Sequence, residues 1–138
     1  MNCRGIHHIG VAVRDLEASL SRWASLFGAR PGPVEVNPER GVRLAVLGFD
    51  TGPEVELVAP LDERSPVAGF LERRGEGLHH LALDVDDIEA AMAELRKGGL
   101  EFVSETPQSG MGGSRIAFVH PRTFNGILIE LRQAGEIR

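Results

Sequence analysis

Residues 6–13, from Ile6 through His7, His8 and Ile9 to Val13, alternate in side-chain size and are rich in β-formers, so they predict a strand. The period then changes. Leu16, Leu20, Trp23 and Phe27 recur at helical spacing, Asp15 is suited to the N-cap and Gly28 follows the last turn, which predicts a helix over about 16–27. Apolar runs at 42–49 and 54–59 flank Asp50-Thr51-Gly52-Pro53 and predict two further strands about that turn. The later part of the chain predicts a strand at 79–85, a helix at about 87–97 ending at Gly98-Gly99, and strands at about 100–104, 115–119 and 127–132. Between them, Ser65-Pro66 opens a short linker helix, about 66–74, with Pro66 in its first turn. Parts of Asn37–Gly41 and Gln108–Ser114 are too rich in Gly or Pro for regular structure and are expected as loops at a strand rim.

The pattern occurs twice. His8-Ile-Gly-Val-Ala-Val-Arg-Asp-Leu-Glu-Ala matches His80-Leu-Ala-Leu-Asp-Val-Asp-Asp-Ile-Glu-Ala at an offset of 72, as does Ala45-Val46-Leu47 with Ala117-Phe118-Val119. Val55-Glu56-Leu57 meets Ile129-Glu130-Leu131 at 74. Such ordered self-similarity marks two homologous modules, about 5–67 and 77–134, each βαβββ, within one domain spanning 1–138. The fold class is therefore α+β.

Composition narrows the function. The 138 residues carry 15 Lys+Arg against 20 Asp+Glu, a net charge of −5, with no concentrated basic stretch, so a nucleic-acid partner is not expected. Apolar runs are strand-sized rather than the roughly 20 residues of a membrane span, and Met1–His8 has no apolar targeting core. Cys3 is the sole cysteine, which fits a reducing cytoplasm. A protein handling a small molecule remains.

Strand parity says where that molecule goes. His8, Gly10 and Ala12 share one face of the first strand, opposite His7, Ile9, Val11 and Val13; His80 and Ala82 do the same opposite His79, Leu81, Leu83 and Val85. One face suits packing under a helix, while the other carries small residues and one imidazole. Glu56 and Glu130 likewise oppose apolar neighbours. If the modules assemble about a pseudo-twofold axis, His8, Glu56, His80 and Glu130 converge on one cleft, and two imidazoles with two carboxylates satisfy a divalent transition metal while leaving coordination positions open. His7 and His79, on the opposite parity, read as packing histidines.

These residues resemble the vicinal oxygen chelate (glyoxalase) superfamily, and within it the methylmalonyl-CoA epimerase family. The resemblance is carried by His7-His8-Ile-Gly-Val-Ala-Val, the linker Pro60–Glu72, Gly75-Glu-Gly-Leu-His-His-Leu-Ala82, Val85–Ala91, Gly110-Met-Gly-Gly-Ser-Arg-Ile-Ala-Phe-Val-His-Pro121 and Gly126–Leu131, nearly the whole chain. It implies a metal site in the cleft of a curved mixed sheet, with ligands at His8, Glu56, His80 and Glu130. Co²⁺ is the first expectation, with Mn²⁺, Ni²⁺ and Zn²⁺ also suited. It further implies an acyl-CoA thioester as substrate and a homodimer. The reaction implied is interconversion of (2R)- and (2S)-methylmalonyl-CoA by proton transfer at C2 through a metal-stabilised enolate.

Two departures bear on that expectation. Glu56 stands where some epimerases have glutamine, adding a negative charge that should tighten the cation and weaken its Lewis acidity. Leu44 stands where some carry a glutamate taken as a catalytic base. Glu130 is then the family-based candidate for one acid/base group, and Glu39 or Glu54 for the other. His120 is expected either at the cavity mouth or in a structural hydrogen bond, and the Gly110–Ser114 loop is a candidate contact for the thioester arm. The ligand set equally resembles glyoxalase I (lactoylglutathione lyase). A metal-free binding or resistance protein on this fold has no need of four such ligands.

Overall fold

A computed structural model describes residues 1–135; residues 136–138 of the expected domain lie outside the described residues. The strands are β1 (Cys3–Ala12), β2 (Arg30–Pro31), β3 (Glu35–Asn37), β4 (Val42–Gly48), β5 (Glu54–Pro60), β6 (Gly77–Val85), β7 (Gln108–Ser109), β8 (Arg115–Val119) and β9 (Ile129–Gln133). The helices are α1 (Leu16–Phe27), α2 (Pro66–Arg74) and α3 (Ile88–Lys97). The described residues form two compact units, His8–His79 and Met1–His7 with residues 80–135.

In the unit His8–His79, β5 runs parallel to β1 and antiparallel to β4, whose other edge takes both β2 and β3. The Asp15 carboxylate accepts from the Ala18 N–H at 3.0 Å and opens α1; Gly28, at a φ of 68° that suits glycine, closes it. Leu16 and Leu20 then pack on Val13, Ala45, Leu47, Leu57 and Ala59, one face of the sheet. The other face is covered by α2. The Ser65 hydroxyl accepts from the Val67 N–H and Pro66 occupies the first turn, and Val67 and Leu71 pack against Ala12, Val42, Leu44 and Val58.

The other unit repeats the scheme. β9 runs parallel to β6 and antiparallel to β8, which pairs with β7. Asp87 caps α3 through the Ala90 N–H at 3.1 Å, and Ile88, Ala91 and Met92 pack on Val85, Ala117, Val119, Ile129 and Leu131. The N-terminal residues join this unit: Asn2 and Arg4 both donate to the Asp86 carboxylate, which they hold below its usual pKa, Arg4 most. Even a surface ion pair is doubled, Glu17–Arg43 recurring as Glu89–Arg115.

The tandem βαβββ modules of a glyoxalase-like fold are thus present, with local differences from expectation. The strand expected at 100–104 is reduced to a bridge between Phe102 and Val119, because Ser104 to Thr106 turn away after Leu100 and Phe102 have anchored in the core beside α3. Asn37 belongs to β3 rather than to a loop. Gln108–Ser109 pair with β8, which leaves only Met111–Gly113 as a short helical turn. No helix among the described residues is long and apolar enough to cross a membrane.

Leu57 is fully enclosed at the centre of the α1 face. Leu57→Ala should lower the unfolding free energy by about 2–5 kcal/mol in denaturant titration. Val103→Ala, at a 63% exposed position, should change it by no more than about 0.5 kcal/mol.

Candidate metal centre

Each half of the chain builds the same pair of side chains. Along β1, His8, Gly10 and Ala12 are buried while His7, Ile9 and Val11 are half-buried, as parity requires. The parallel ladder sets Gly10 beside Glu56, so His8 and Glu56 share a face, and His8 Nε2 stands 3.6 Å from Glu56 Oε2. In the other half Ala82 lies beside Glu130, and His80 Nε2 stands 3.9 Å from Glu130 Oε1. The residue next to each glutamate is small in both ladders, which leaves space above the strand for the imidazole and carboxylate.

Both separations are wider than the roughly 2.7–3.2 Å of an N–H···O hydrogen bond. Two ligands each about 2.1 Å from one ion, at tetrahedral or octahedral angles, stand about 3.0–3.4 Å apart. A few tenths of an ångström of closure would therefore turn either pair into adjacent ligands. The electrostatics agree. Glu130 is only 4% exposed, and a divalent cation is a form of countercharge that suits an enclosed carboxylate. His8 in one unit, and His80 with Glu130 in the other, are all buried and are of the residue types that hold a divalent ion. Glu56, half-buried, sets a second carboxylate beside His8.

The other candidates separate by position. Glu54 is exposed at the start of β5, in register with His8 on the same face. Glu39 is exposed in the turn between β3 and β4. Leu44 is buried beneath α2 with Val42 and Val58. His79 meets Phe70 edge-on at 4.9 Å; burial, with the positive charge of Arg40, pushes its imidazole down to about 4, so it is neutral at pH 7. It is a packing histidine, as its parity suggests. His120 Nδ1 accepts from the Arg122 N–H at 3.4 Å, closing the turn after β8, which is the structural alternative foreseen for it. Absent from the sequence reading is an ion pair on the Glu130 face: Arg132 Nη1 meets Asp84 Oδ1 at 2.9 Å. Its parity with Glu130 and His80 was the signal available.

A sequence profile of the Glyoxalase/Bleomycin resistance protein/Dioxygenase superfamily matches residues 7–118. The ethylmalonyl-CoA/methylmalonyl-CoA epimerase of Cereibacter sphaeroides is 38% identical over 93% of this chain and 96% of its own. The crystal structure of methylmalonyl-CoA epimerase from Mycobacterium tuberculosis, 37% identical, superposes with a TM-score of 0.93 over 97% of this chain and 90% of that one. The chain belongs to the methylmalonyl-CoA epimerase family. A Streptomyces coelicolor methylmalonyl-CoA epimerase in complex with 2-nitronate-propionyl-CoA, 34% identical, matches 98% of this chain and 100% of its own at a TM-score of 0.92. Against that family, burial of Leu44 is informative: the apolar residue is held by α2 and takes part in packing, so nothing at that position supplies a proton acceptor.

Titration with Co²⁺ should show one ion per chain in the wild type. His80→Ala should abolish that binding while the circular dichroism spectrum and cooperative unfolding are kept. A chain that loses its fold instead would make His80 a structural residue.

Proposed function

We propose that this protein interconverts the C2 epimers of methylmalonyl-CoA, using one divalent ion held by His8, Glu56, His80 and Glu130. The observation that carries the reading is the doubled His–Glu pair, present at 3.6 and 3.9 Å in a chain 38% identical to an epimerase of that substrate. Two imidazoles with two carboxylates suit Co²⁺ first, and also Mn²⁺, Ni²⁺ or Zn²⁺. When bound, such an ion supplies Lewis acidity toward the thioester and carboxylate oxygens that flank C2, lowering the barrier to removal of the C2 proton by several kcal/mol.

The chain's own groups move that proton. Glu130 takes it from one face of C2, its carboxylate oxygen being close to His80 and enclosed, where a base is screened least. Return to the opposite face requires a second acid, and with Leu44 apolar this falls to Glu54 or Glu39. Glu54 has the better support, since it shares the His8 face. The small residues Gly10 and Ala82 leave the space that an acyl group needs. With Glu56 in place of glutamine, the site carries an extra negative charge, which favours retention of the ion over polarising strength. The same reading has the protein act on acyl-CoA in the cytoplasm as a homodimer, with neither nucleic acid nor membrane as partner; its net charge of −5 and lone Cys3 agree with this.

The test is exchange of solvent deuterium into C2 of methylmalonyl-CoA, with and without added Co²⁺. Metal-dependent exchange with racemisation is expected. Isomerisation of the methylglyoxal–glutathione hemithioacetal in place of exchange would assign the site to glyoxalase chemistry instead. Glu130→Gln should reduce exchange at least a hundredfold, roughly the contribution of a placed acid/base group, with a smaller loss of Co²⁺ affinity. Equal losses would limit Glu130 to a ligand.

A further inference from the structure

We propose that Arg132, held in place by Asp84, donates to an oxygen of the substrate's C2 carboxylate and makes the site selective for 2-carboxyacyl thioesters over uncharged ones. The inference rests on the acyl-thioester reading above and adds to it the residue that distinguishes the substrate's charge.

Placement comes first. In the parallel ladder Asp84 lies directly beside Arg132, two residues beyond the Ala82–Glu130 pair, so both side chains share the face of His80 and Glu130. Two residues of strand span about 6.6 Å, within the reach of an arginine side chain. On β8, Phe118 lies beside Glu130 and Ile116 beside Arg132. A Cβ on Gly110 would come within 2.7 Å of the Ile116 side chain. Arg132 therefore stands on a path from Glu130 to the Gly110–Ser114 loop.

Chemistry comes second. The guanidinium carries five N–H donors in a planar fork that fits a carboxylate, and the Asp84 contact at 2.9 Å engages one nitrogen. With its side chain 20% exposed, the group is shielded enough to strengthen an ionic contact and open enough for a ligand to reach it.

The fold itself does not need this pair. By the repeat, Asp84 and Arg132 correspond to Ala12 and Val58, which are adjacent in their own ladder and packed under α2 with Leu44 and Val67. The same strand pairing is thus built with apolar residues at these two positions. A half-buried ion pair adds little to stability over an apolar pair of similar shape, so its presence in one half alone points to a ligand.

The internal repeat also supplies the test. The double variant Asp84→Ala with Arg132→Val installs the pair found in the other half and leaves no carboxylate without its partner. Calorimetry would measure binding of methylmalonyl-CoA and propionyl-CoA, which differ by the carboxylate, to the Co²⁺-loaded wild type, the double variant and Arg132→Lys. Wild-type protein should prefer methylmalonyl-CoA. The double variant should lose about tenfold to a hundredfold in affinity for it, bind propionyl-CoA as before, keep one Co²⁺ per chain and unfold at an unchanged temperature, while Arg132→Lys recovers part of the loss. Unchanged affinity for methylmalonyl-CoA, equal loss for both thioesters, or a double variant that fails to fold alongside a fully active Arg132→Lys would overturn the assignment. Because the readout is binding, a wild type that discriminates the two thioesters but exchanges no deuterium would refute the catalytic reading alone.

Discussion

The constraint on which everything else depends is the register of two parallel strand pairs. Gly10 lies beside Glu56 and Ala82 beside Glu130. A slip of one residue in either ladder would turn the glutamate to the helix side and put an apolar residue in its place. The register is fixed by what lies on the opposite face, where Leu57, Ala59 and Ala45 are packed under α1, and Leu131, Ala117 and Val119 under α3. The apolar layers thus pay for the polar one: burying the helix-side residues is what holds an imidazole and a carboxylate together on a strand face with small neighbours.

That division of labour explains how enclosed acids are tolerated. Glu130 is buried, and Glu56 is half-buried beside His8. Carboxylates and imidazoles are donor types that suit a divalent cation, which brings positive charge to a site holding acids. The arrangement is poorly suited to an apolar ligand and well suited to an ion with open positions for oxygen donors. Membership of the epimerase family and the chemistry of the donor set therefore point the same way.

Most of this was legible in the sequence because it depends on period and parity. The helices over 16–27 and 66–74 and the cap residues Asp15, Gly28, Ser65 and Asp87 are local features, and local chemistry decided them. The offsets of 72 and 74 together then predict register, since Val46 lies beside Glu56 as Phe118 lies beside Glu130. What escaped depends on partners outside the segment itself. Arg30–Pro31 and Glu35–Asn37 are strands only because the edge of β4 is available to them. Leu100 to Ser104 has strand-like composition, but its apolar residues are used against α3 and its ladder reduces to one bridge. The Asp84–Arg132 contact spans 48 residues, and either member alone looks like a solvated charge.

A duplicated chain carries its own control. Features kept in both halves, such as the capping aspartates, the Glu17–Arg43 and Glu89–Arg115 pairs and the His–Glu pairs, are those that a βαβββ module needs or that a symmetric site needs. Features present in one half only have been released from that requirement. The first half follows its last strand with α2, whose Val67 and Leu71 cover Ala12 and Val58. The second half has charged residues at the equivalent positions. A symmetric ion site has no use for such a difference, but an asymmetric substrate does: a thioester on one side of C2 and a carboxylate on the other ask for unlike surroundings. Symmetry in the ligands with asymmetry in the flanking residues is what binding an ion and an unsymmetrical acid together requires.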